Sequence, residues 1–147
     1  MPVPPRPLPP PMTLERHFPK AIDSLDNVFT FLHNGLAPVT TNGHVREVLT
    51  FGTEEFFTNC VKYNRKSRND ISVRIIADAD TVSVQVIDND VEPFDVTRVP
   101  QPDLDSGPES WRPGGLGIHI SRQLLDNLSY EYTGNSSIIT MTMNLKD

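Results

Sequence analysis

Apolar residues recur along this chain at two spacings, every second residue in some segments and every third or fourth in others. The two-residue spacing is that of a half-buried strand. It appears at 71–75 and 82–88, which predicts a hairpin that turns at 78–80. The same spacing predicts three further strands, at 12–18, 130–132 and 138–145, with the last two around a turn at 134–135. The first of these three is expected at an edge of the sheet.

Helical spacing predicts three helices. The first runs over 22–36, and the second runs over about 44–63. The apolar stripe of the second helix is Val45, Leu49, Phe56, Cys60 and Tyr63. The third helix follows the glycines at 114–117 and has an apolar stripe of Leu116, Ile120, Leu124 and Leu128. The predicted fold class is α+β, a two-layer sandwich of a mixed, mostly antiparallel sheet with about three helices on one face.

Length and composition narrow the class of protein. A chain of 147 residues of which 37% are hydrophobic can form one domain with a buried core. Its net charge of −6 argues against binding to nucleic acid. The single cysteine, Cys60, excludes an internal disulfide and fits a reducing compartment, and we expect it to be a small buried residue. Because the chain has neither an apolar stretch of ~18 residues nor a signal peptide, we expect a cytoplasmic protein with no membrane contact.

Prolines mark the predicted domain boundaries. Residues 1–11 contain seven of the 14 prolines, so they cannot form a helix or a central strand. We expect a flexible tail there, before a domain at 12–147, and a docking peptide is the alternative role of the tail. Prolines return between 93 and 113, which predicts a long irregular segment at about 96–113. Such a segment is usually a functional lid or disordered.

Asp88 follows Val82, Val84 and Val86 in phase, on the same face of a predicted strand. A carboxylate on an apolar face is costly unless it is hydrogen-bonded, and an ionised aspartate only accepts hydrogen bonds. This pattern indicates the floor of a pocket whose ligand donates an N–H. The alternative is a strand-end aspartate that caps a turn with Asn89.

Glu55 and Asn59 lie four residues apart, so a helix places them side by side on the flank of its apolar stripe, whereas Glu54 faces water. The amide oxygen could hold Mg²⁺ together with phosphates. The carboxylate could take a proton from an attacking hydroxyl. The alternative is an ordinary polar pair at the boundary of the core.

A glycine-rich segment of Gly114, Gly115, Leu116 and Gly117 opens the third predicted helix. Backbone N–H groups and the dipole at a helix start bind anions, and glycines let the chain approach a phosphate closely. The segment is neither the phosphate loop that ends in Gly-Lys-Ser/Thr nor the dinucleotide fingerprint. A phosphate-contacting segment and a simple hinge are the two interpretations.

In their order and spacing these segments resemble the histidine-kinase-like ATPases, specifically the anti-sigma-factor serine kinase branch. Residues 53–63 (TEEFFTNCVKY) resemble the N box, and residues 86–88 (VID) with 93–95 (PFD) resemble the G1 box. Residues 114–126 (GGLGIHISRQLLD) resemble the G2 box and the helix after it, and 134–142 resemble the last strand pair. The resemblance covers nearly the whole chain.

The resemblance implies a Bergerat ATP-binding fold in which Asn59 helps to hold Mg²⁺ and Glu55 is the catalytic base. Asp88 would meet the amino group of adenine, and Ser137 stands where the family usually has a threonine near adenine-bound water. A kinase of this branch phosphorylates a serine or threonine of a small antagonist protein and also binds a sigma factor. Such kinases are commonly homodimers.

Two features depart from the family pattern. Asp90 stands where the G1 box has a glycine that lets the backbone pass close to adenine, and the stretch that leads to Phe94 is one residue longer than usual. The predicted lid is acidic, and Arg112 is its one obvious positive group near the glycines. We expect Asp90 and Phe94 to belong to the nucleotide site and Arg112 to contact a phosphate. An exposed arginine beside Trp111 is the alternative.

The sequence is compatible with three alternative functions. The first is an ATP-dependent serine/threonine protein kinase that acts by partner switching. The second is a nucleotide-sensing or nucleotide-independent interaction module without useful catalysis, which Asp90 and the acidic lid favour. The third is the catalytic part of a sensor histidine kinase, which needs a dimerising helix that carries a phosphorylatable histidine. The histidines of this chain instead fall in or beside elements of the one domain.

Overall fold

The computed structural model describes residues 11–63, 68–98 and 115–146. The strands are β1 (Met12–Phe18), β2 (Ile71–Ala77), β3 (Thr81–Asp88), β4 (Asn127–Thr133) and β5 (Ser136–Asn144). The helices are α1 (Leu25–Leu36), α2 (Gly43–Tyr63) and α3 (Gly115–Leu124), with short 3-10 turns at Ile22–Ser24 and Val96–Arg98. The predicted tail, apart from its last residue, and the predicted lid after Arg98 lie outside the described residues.

The five strands form one sheet in the order β1-β2-β3-β5-β4, and all four pairings are antiparallel. This confirms the predicted α+β sandwich, with antiparallel pairing throughout the described strands rather than in most of them. Strands β2 and β3, and likewise β4 and β5, are joined by short turns, which make such neighbours antiparallel. Strand β1 lies at an edge, as predicted.

Local sequence accounts for both hairpin turns. Gly134 and Asn135 have φ values of 58 and 65, the positive angles that a two-residue hairpin turn of type I′ requires. In the β2–β3 turn, Oδ1 of Asp78 accepts hydrogen bonds from the backbone N–H groups of Asp80 and Thr81, at 2.8 and 2.9 Å. An aspartate that bonds its own turn in this way favours the reversal of the chain.

The starts of the first two helices differ in how they are formed, because a side chain caps α2 whereas a 3-10 turn precedes α1. Oδ1 of Asn42 accepts from the backbone N–H groups of His44 and Val45, at 2.9 and 3.3 Å, and so caps the start of α2. Helix α1 begins later than its predicted start because Ile22–Ser24 forms a 3-10 turn. In that turn the hydroxyl of Ser24 donates to the carbonyl of Pro19 at 2.7 Å.

The helices cover one face of the sheet in two halves. Helix α1 packs against β1 and β2, whereas α2 packs against β3, β5 and α3. The largest fully buried side chains between the layers include Leu32, Leu49, Phe56, Phe57, Ile75 and Met141. Burial of one such side chain contributes ~1.5–3 kcal/mol, so this core is the main source of stability.

The predicted apolar stripes of α2 and α3 need correction. The stripe of Leu116, Ile120, Leu124 and Leu128 is wrong, because the buried residues of α3 are Ile118 and Ser121 and Leu124 is 42% exposed. The helix turns its small residues toward α2, where a close approach needs little side-chain volume. On α2, Tyr63 is 53% exposed, because the helix continues to this residue beyond Cys60, its last buried residue.

Candidate functional site

Asp88 is the last residue of β3 and faces the helices, with its side chain fully buried. The register aligns it with Ile71 on β2 and with Ser137 on β5, and Ile71 in turn aligns with Phe18 on β1. The three valines that precede Asp88 in phase are also buried. The predicted pattern is therefore confirmed: an apolar stripe ends in a buried carboxylate at one end of the sheet.

Asp88 forms an ion pair with Lys20, which no pattern in the sequence indicates. Nζ of Lys20 lies 2.7 Å from Oδ1 of Asp88, and the two side chains are 6% and 1% exposed. Lys20 lies in the connection between β1 and α1, where a lysine ordinarily indicates a solvated charge. No periodic signal could have identified it.

Helix α2 places Glu55 and Asn59 on its half-buried flank and Glu54 in solvent, as predicted. Burial raises the pKa of the Glu55 carboxyl, and the negative charge of Glu54 raises it further, whereas Lys62 acts in the opposite direction. A carboxyl whose pKa is raised in this way is a stronger base than an ordinary glutamate, which suits proton abstraction near neutral pH.

The glycine-rich segment meets Glu55. Helix α3 begins at Gly115, so Gly115, Leu116 and Gly117 form its first turn. A methyl group at Gly117 would overlap the Glu55 carboxylate, which shows that the carboxylate lies directly against the backbone of this turn. The N–H groups and the positive dipole end of α3 are therefore next to the candidate base.

A second glycine brings α2 close to the sheet beneath it. A methyl group at Gly52 would lie 2.6 Å from Sδ of Met141 on β5 and 3.7 Å from Oγ of Ser121 on α3. Gly52 and Glu55 therefore face β5 and α3 from the same side of α2. The contact at Gly52 limits the distance between α2 and β5, and the contact at Gly117 limits the distance between α2 and α3.

Residues 89–95, here termed the G1 segment, are attached to the β4–β5 hairpin. The N–H of Val91 donates to the carbonyl of Asn135 at 3.0 Å, and the hydroxyl of Tyr132 donates to the carbonyl of Val91 at 2.7 Å. The N–H of Phe94 donates to the hydroxyl of Tyr130 at 3.0 Å, and the Phe94 ring is an exposed side chain. Burial raises the pKa of the Tyr130 phenol, which therefore stays neutral as an acceptor. These bonds hold the segment beside the end of β3.

Asp90 has a φ of 59 and is exposed. This left-handed region favours glycine, although aspartate tolerates it better than most residues do. Asp90 therefore keeps a backbone conformation that a glycine would adopt readily, and it adds a carboxylate on the solvent side.

The structure thus brings two pairs of predicted residues together, Asp88 with Ser137 and Glu55 with Gly117. Both pairs lie in the half of the molecule that α2, α3, β3 and β5 form. Arg112 and Gly114 lie outside the described residues. Across the described part of the chain, no group of three or more His, Cys, Asp or Glu side chains could hold a metal ion. A metal at this site would depend on Asn59 and on oxygens that a ligand brings.

Comparison with known proteins identifies the family. Residues 18–143 match the family model of the histidine kinase-like ATPase domain, and the chain belongs to that family. No curated protein gives a significant match to the chain. None of the helices in the described ranges has the length and apolar character that a membrane span requires.

Among solved structures, the chain is similar to the RsbU and RsbW domains of Rv1364c from Mycobacterium tuberculosis, with a TM-score of 0.63. The sequences are 16% identical, and the match covers 89% of this chain and 32% of that one. The likeness at this identity is one of fold. This chain therefore spans about a third of the larger protein.

Proposed function

We propose that this chain binds ATP with Mg²⁺ and is a serine/threonine protein kinase of the anti-sigma-factor type, which phosphorylates an antagonist protein in a partner-switching circuit. The contact between Glu55 and Gly117 carries the proposal. It places a carboxylate with a raised pKa at the start of a helix, where N–H groups are available for phosphate. Membership in the histidine kinase-like ATPase family supports ATP as the ligand.

In this proposal Asp88 accepts a hydrogen bond from the adenine amino group. Ser137, its neighbour across the β3–β5 ladder, contacts water beside the base. The first turn of α3 binds the phosphates through its backbone. The other nucleotide contacts that we propose are Asp90, Phe94, Arg112, Gly114 and Leu116.

The proposed Mg²⁺ ligand on the protein is the amide oxygen of Asn59. Mg²⁺ prefers hard oxygen ligands and is usually held by one or two protein groups together with phosphates and water. The half-buried amide, one helical turn from Glu55, fits that donor set. When bound, the ion neutralises negative charge on the β- and γ-phosphates.

Glu55 would act as the general base. As the serine or threonine oxygen of the antagonist protein forms a bond to the γ-phosphorus, the bond from that phosphorus to the β–γ bridging oxygen breaks and ADP leaves. The hydroxyl proton passes to the Glu55 carboxylate. The raised pKa of Glu55 increases its affinity for that proton.

The test is transfer of labelled phosphate from ATP to the antagonist protein. Glu55→Ala is expected to lower the transfer rate about 100-fold or more, with ATP affinity retained. Glu54→Ala is the matched control, because Glu54 is the neighbouring exposed carboxylate of the same helix. Full activity in Glu55→Ala would reject the base assignment, and equal losses in both variants would point to damage of α2.

Two further partners belong to the proposal. We propose a sigma factor as the alternative partner that is held or released with the phosphorylation state of the antagonist, and a second copy of the chain as a homodimer. Sedimentation of the chain with and without ATP measures the oligomeric state. A monomer under both conditions would remove the homodimer while leaving the kinase proposal intact.

A second candidate is an interaction module without catalysis. The exposed Asp90 favours it, because a carboxylate beside the G1 backbone opposes a triphosphate. Calorimetry with ATP and Mg²⁺ tests the nucleotide-independent form of this candidate, which no binding at millimolar nucleotide would support. Saturable heat without phosphate transfer would support a nucleotide-sensing module, whereas heat with transfer supports the kinase proposal.

A further inference from the structure

The Asp88 carboxylate lies between two groups of elements. Lys20 approaches it from the half of the molecule in which α1 covers β1 and β2. Ser137 lies in the other half, on β5, where α2 packs against β3, β5 and α3. Across this end of the sheet the strand register aligns Phe18, Ile71, Asp88 and Ser137 in that order. The ammonium and the candidate nucleotide site therefore reach the carboxylate from different groups of elements.

Burial makes this ion pair unusual. Lysine and aspartate are almost never fully buried unless they are paired, and here the side chains are 6% and 1% exposed. A buried pair is weak evidence for stability, because well-packed apolar residues often serve equally well. Its position at the proposed base-reading carboxylate suggests a role in recognition instead.

We propose that Lys20 is a positioning residue for base recognition. Its ammonium neutralises and orients the Asp88 carboxylate, so that the carboxylate accepts a hydrogen bond from the 6-amino group of adenine. An ionised carboxylate has about four lone-pair sites, so it can serve both donors. Lys20 thereby sets selectivity for a purine with a 6-amino group over one without it. This inference rests on the proposed function, since it concerns the same nucleotide site.

The experiment measures the affinities of the full chain for ATP and for purine riboside triphosphate, which has hydrogen in place of the amino group. A hydrogen bond to a charged group corresponds to about tenfold selectivity or more for ATP in the unaltered chain. In Lys20→Met this selectivity is expected to fall to about threefold or less, because only the ATP contact weakens. Lys20→Arg, which keeps the charge, is expected to restore part of it.

Lys146→Met is the matched control. Nζ of Lys146 also lies 2.7 Å from an aspartate oxygen, that of Asp80, but the two side chains are 66% and 67% exposed. This variant should keep the selectivity of the unaltered chain. Lys20→Gln is measured in parallel and is expected to lose selectivity as well, so the test does not depend on the folding of one variant.

The outcomes are distinguishable. If Lys20→Met and Lys20→Gln bind both nucleotides equally more weakly, Lys20 only supports the fold and the inference is wrong. Tighter binding of ATP by these variants would show that Lys20 competes with the base, which also contradicts the inference. If the unaltered chain binds neither nucleotide, the proposed function fails first and the inference falls with it.

Discussion

Two lysine–aspartate pairs lie at opposite ends of β3. Lys20 pairs with Asp88 at the last residue of the strand, and Lys146 pairs with Asp80 just before the first, each with an N–O distance of 2.7 Å. The exposures differ completely, at 6% and 1% for the first pair and 66% and 67% for the second. The two ion pairs therefore have the same distance and differ in their exposure to solvent.

Each pair suits its place in the fold. The hydrogen bond and charge of Asp80 raise the pKa of the Lys146 ammonium, while backbone hydrogen bonds from Thr81 and Asp80 hold the pKa of Asp78 below its usual range. That cluster supports a turn in contact with water, where ion pairs contribute little. At the other end water is excluded, so the loss of either partner of the ion pair is costly. Burial, rather than contact geometry, therefore decides how much an ion pair contributes to stability.

The largest expected effect is that of Lys20→Met. Removal of the ammonium breaks a buried ion pair at the Asp88 carboxylate, and we expect the free energy of unfolding to fall by about 3–5 kcal/mol. Denaturant unfolding followed by circular dichroism measures this loss.

A double variant provides the control for that loss. Lys20→Met combined with Asp88→Leu removes both charges and should recover most of the stability, because an apolar pair can replace a buried ion pair at little cost. If the single variant is as stable as the unaltered chain, the buried pair has no greater weight than the exposed one, and the comparison fails.

The second prediction changes the shape of the site while its charges stay the same. A methyl group at Gly117 overlaps the end of the flexible, half-buried Glu55 side chain. Gly117→Ala should therefore displace the carboxylate at little cost in stability. We expect phosphate transfer to fall roughly 100-fold, as it does when a catalytic group is misplaced by about 1 Å.

Gly52→Ala is the matched control for Gly117→Ala. Its methyl group would meet the fully buried Met141, so it should lower the free energy of unfolding by about 1–3 kcal/mol through overpacking. Transfer per folded molecule should fall less than in Gly117→Ala. Similar transfer rates in the two variants would contradict a specific contact between Gly117 and the base.

The third prediction concerns Glu55, whose solvent exposure lies between those of the two pairs. Its pKa is raised above the ordinary value of 4.5, first by burial and then by Glu54, so the folded state binds the proton more tightly than the unfolded state does. The stability that this group contributes is present below pH 4.5 and is lost as the pH rises through the folded pKa. Glu55→Gln should therefore stabilise the fold at neutral pH, by about 0.5 kcal/mol.

Unfolding curves recorded across the acid and neutral range measure that gain. The stabilisation by Glu55→Gln should shrink as the pH falls toward 4.5. Glu47→Gln is the control, because Glu47 is exposed on the same helix and does not contribute to the pKa shift of Glu55. A gain that stays constant with pH would show that ionisation of Glu55 is not its cause.

Local periodicity was sufficient to predict much of this fold and of the candidate site. The two-residue spacing identified β2, β3 and the buried position of Asp88, and the helical spacing placed Glu55 and Asn59 on the flank of α2. These features depend on neighbours within one element. Helical and strand periods are properties of the chain itself, so the sequence contains them directly.

Contacts between distant elements were not predictable in the same way. Lys20 reaches a residue far along the chain, and nothing in its own segment marks it as buried. The inward face of α3 was mispredicted because Gly117 and Ser121 face α2 although neither adds to an apolar pattern. Where close approach selects small residues, hydrophobic periodicity indicates the wrong face.

The smallest expected effect is that of Lys146→Met, which tests the exposed ion pair in the same way as Lys20→Met tests the buried one. The ammonium of Lys146 is exposed, so its attraction to Asp80 is weakened by water and by salt. The raised pKa of Lys146 means that the contact is present at neutral pH and is lost only as the pH rises through that pKa. We therefore expect no measurable shift of the unfolding midpoint at neutral pH, in low or in moderate salt. A loss as large as that of Lys20→Met would mean that the shared 2.7 Å distance, rather than burial, sets the weight of both pairs.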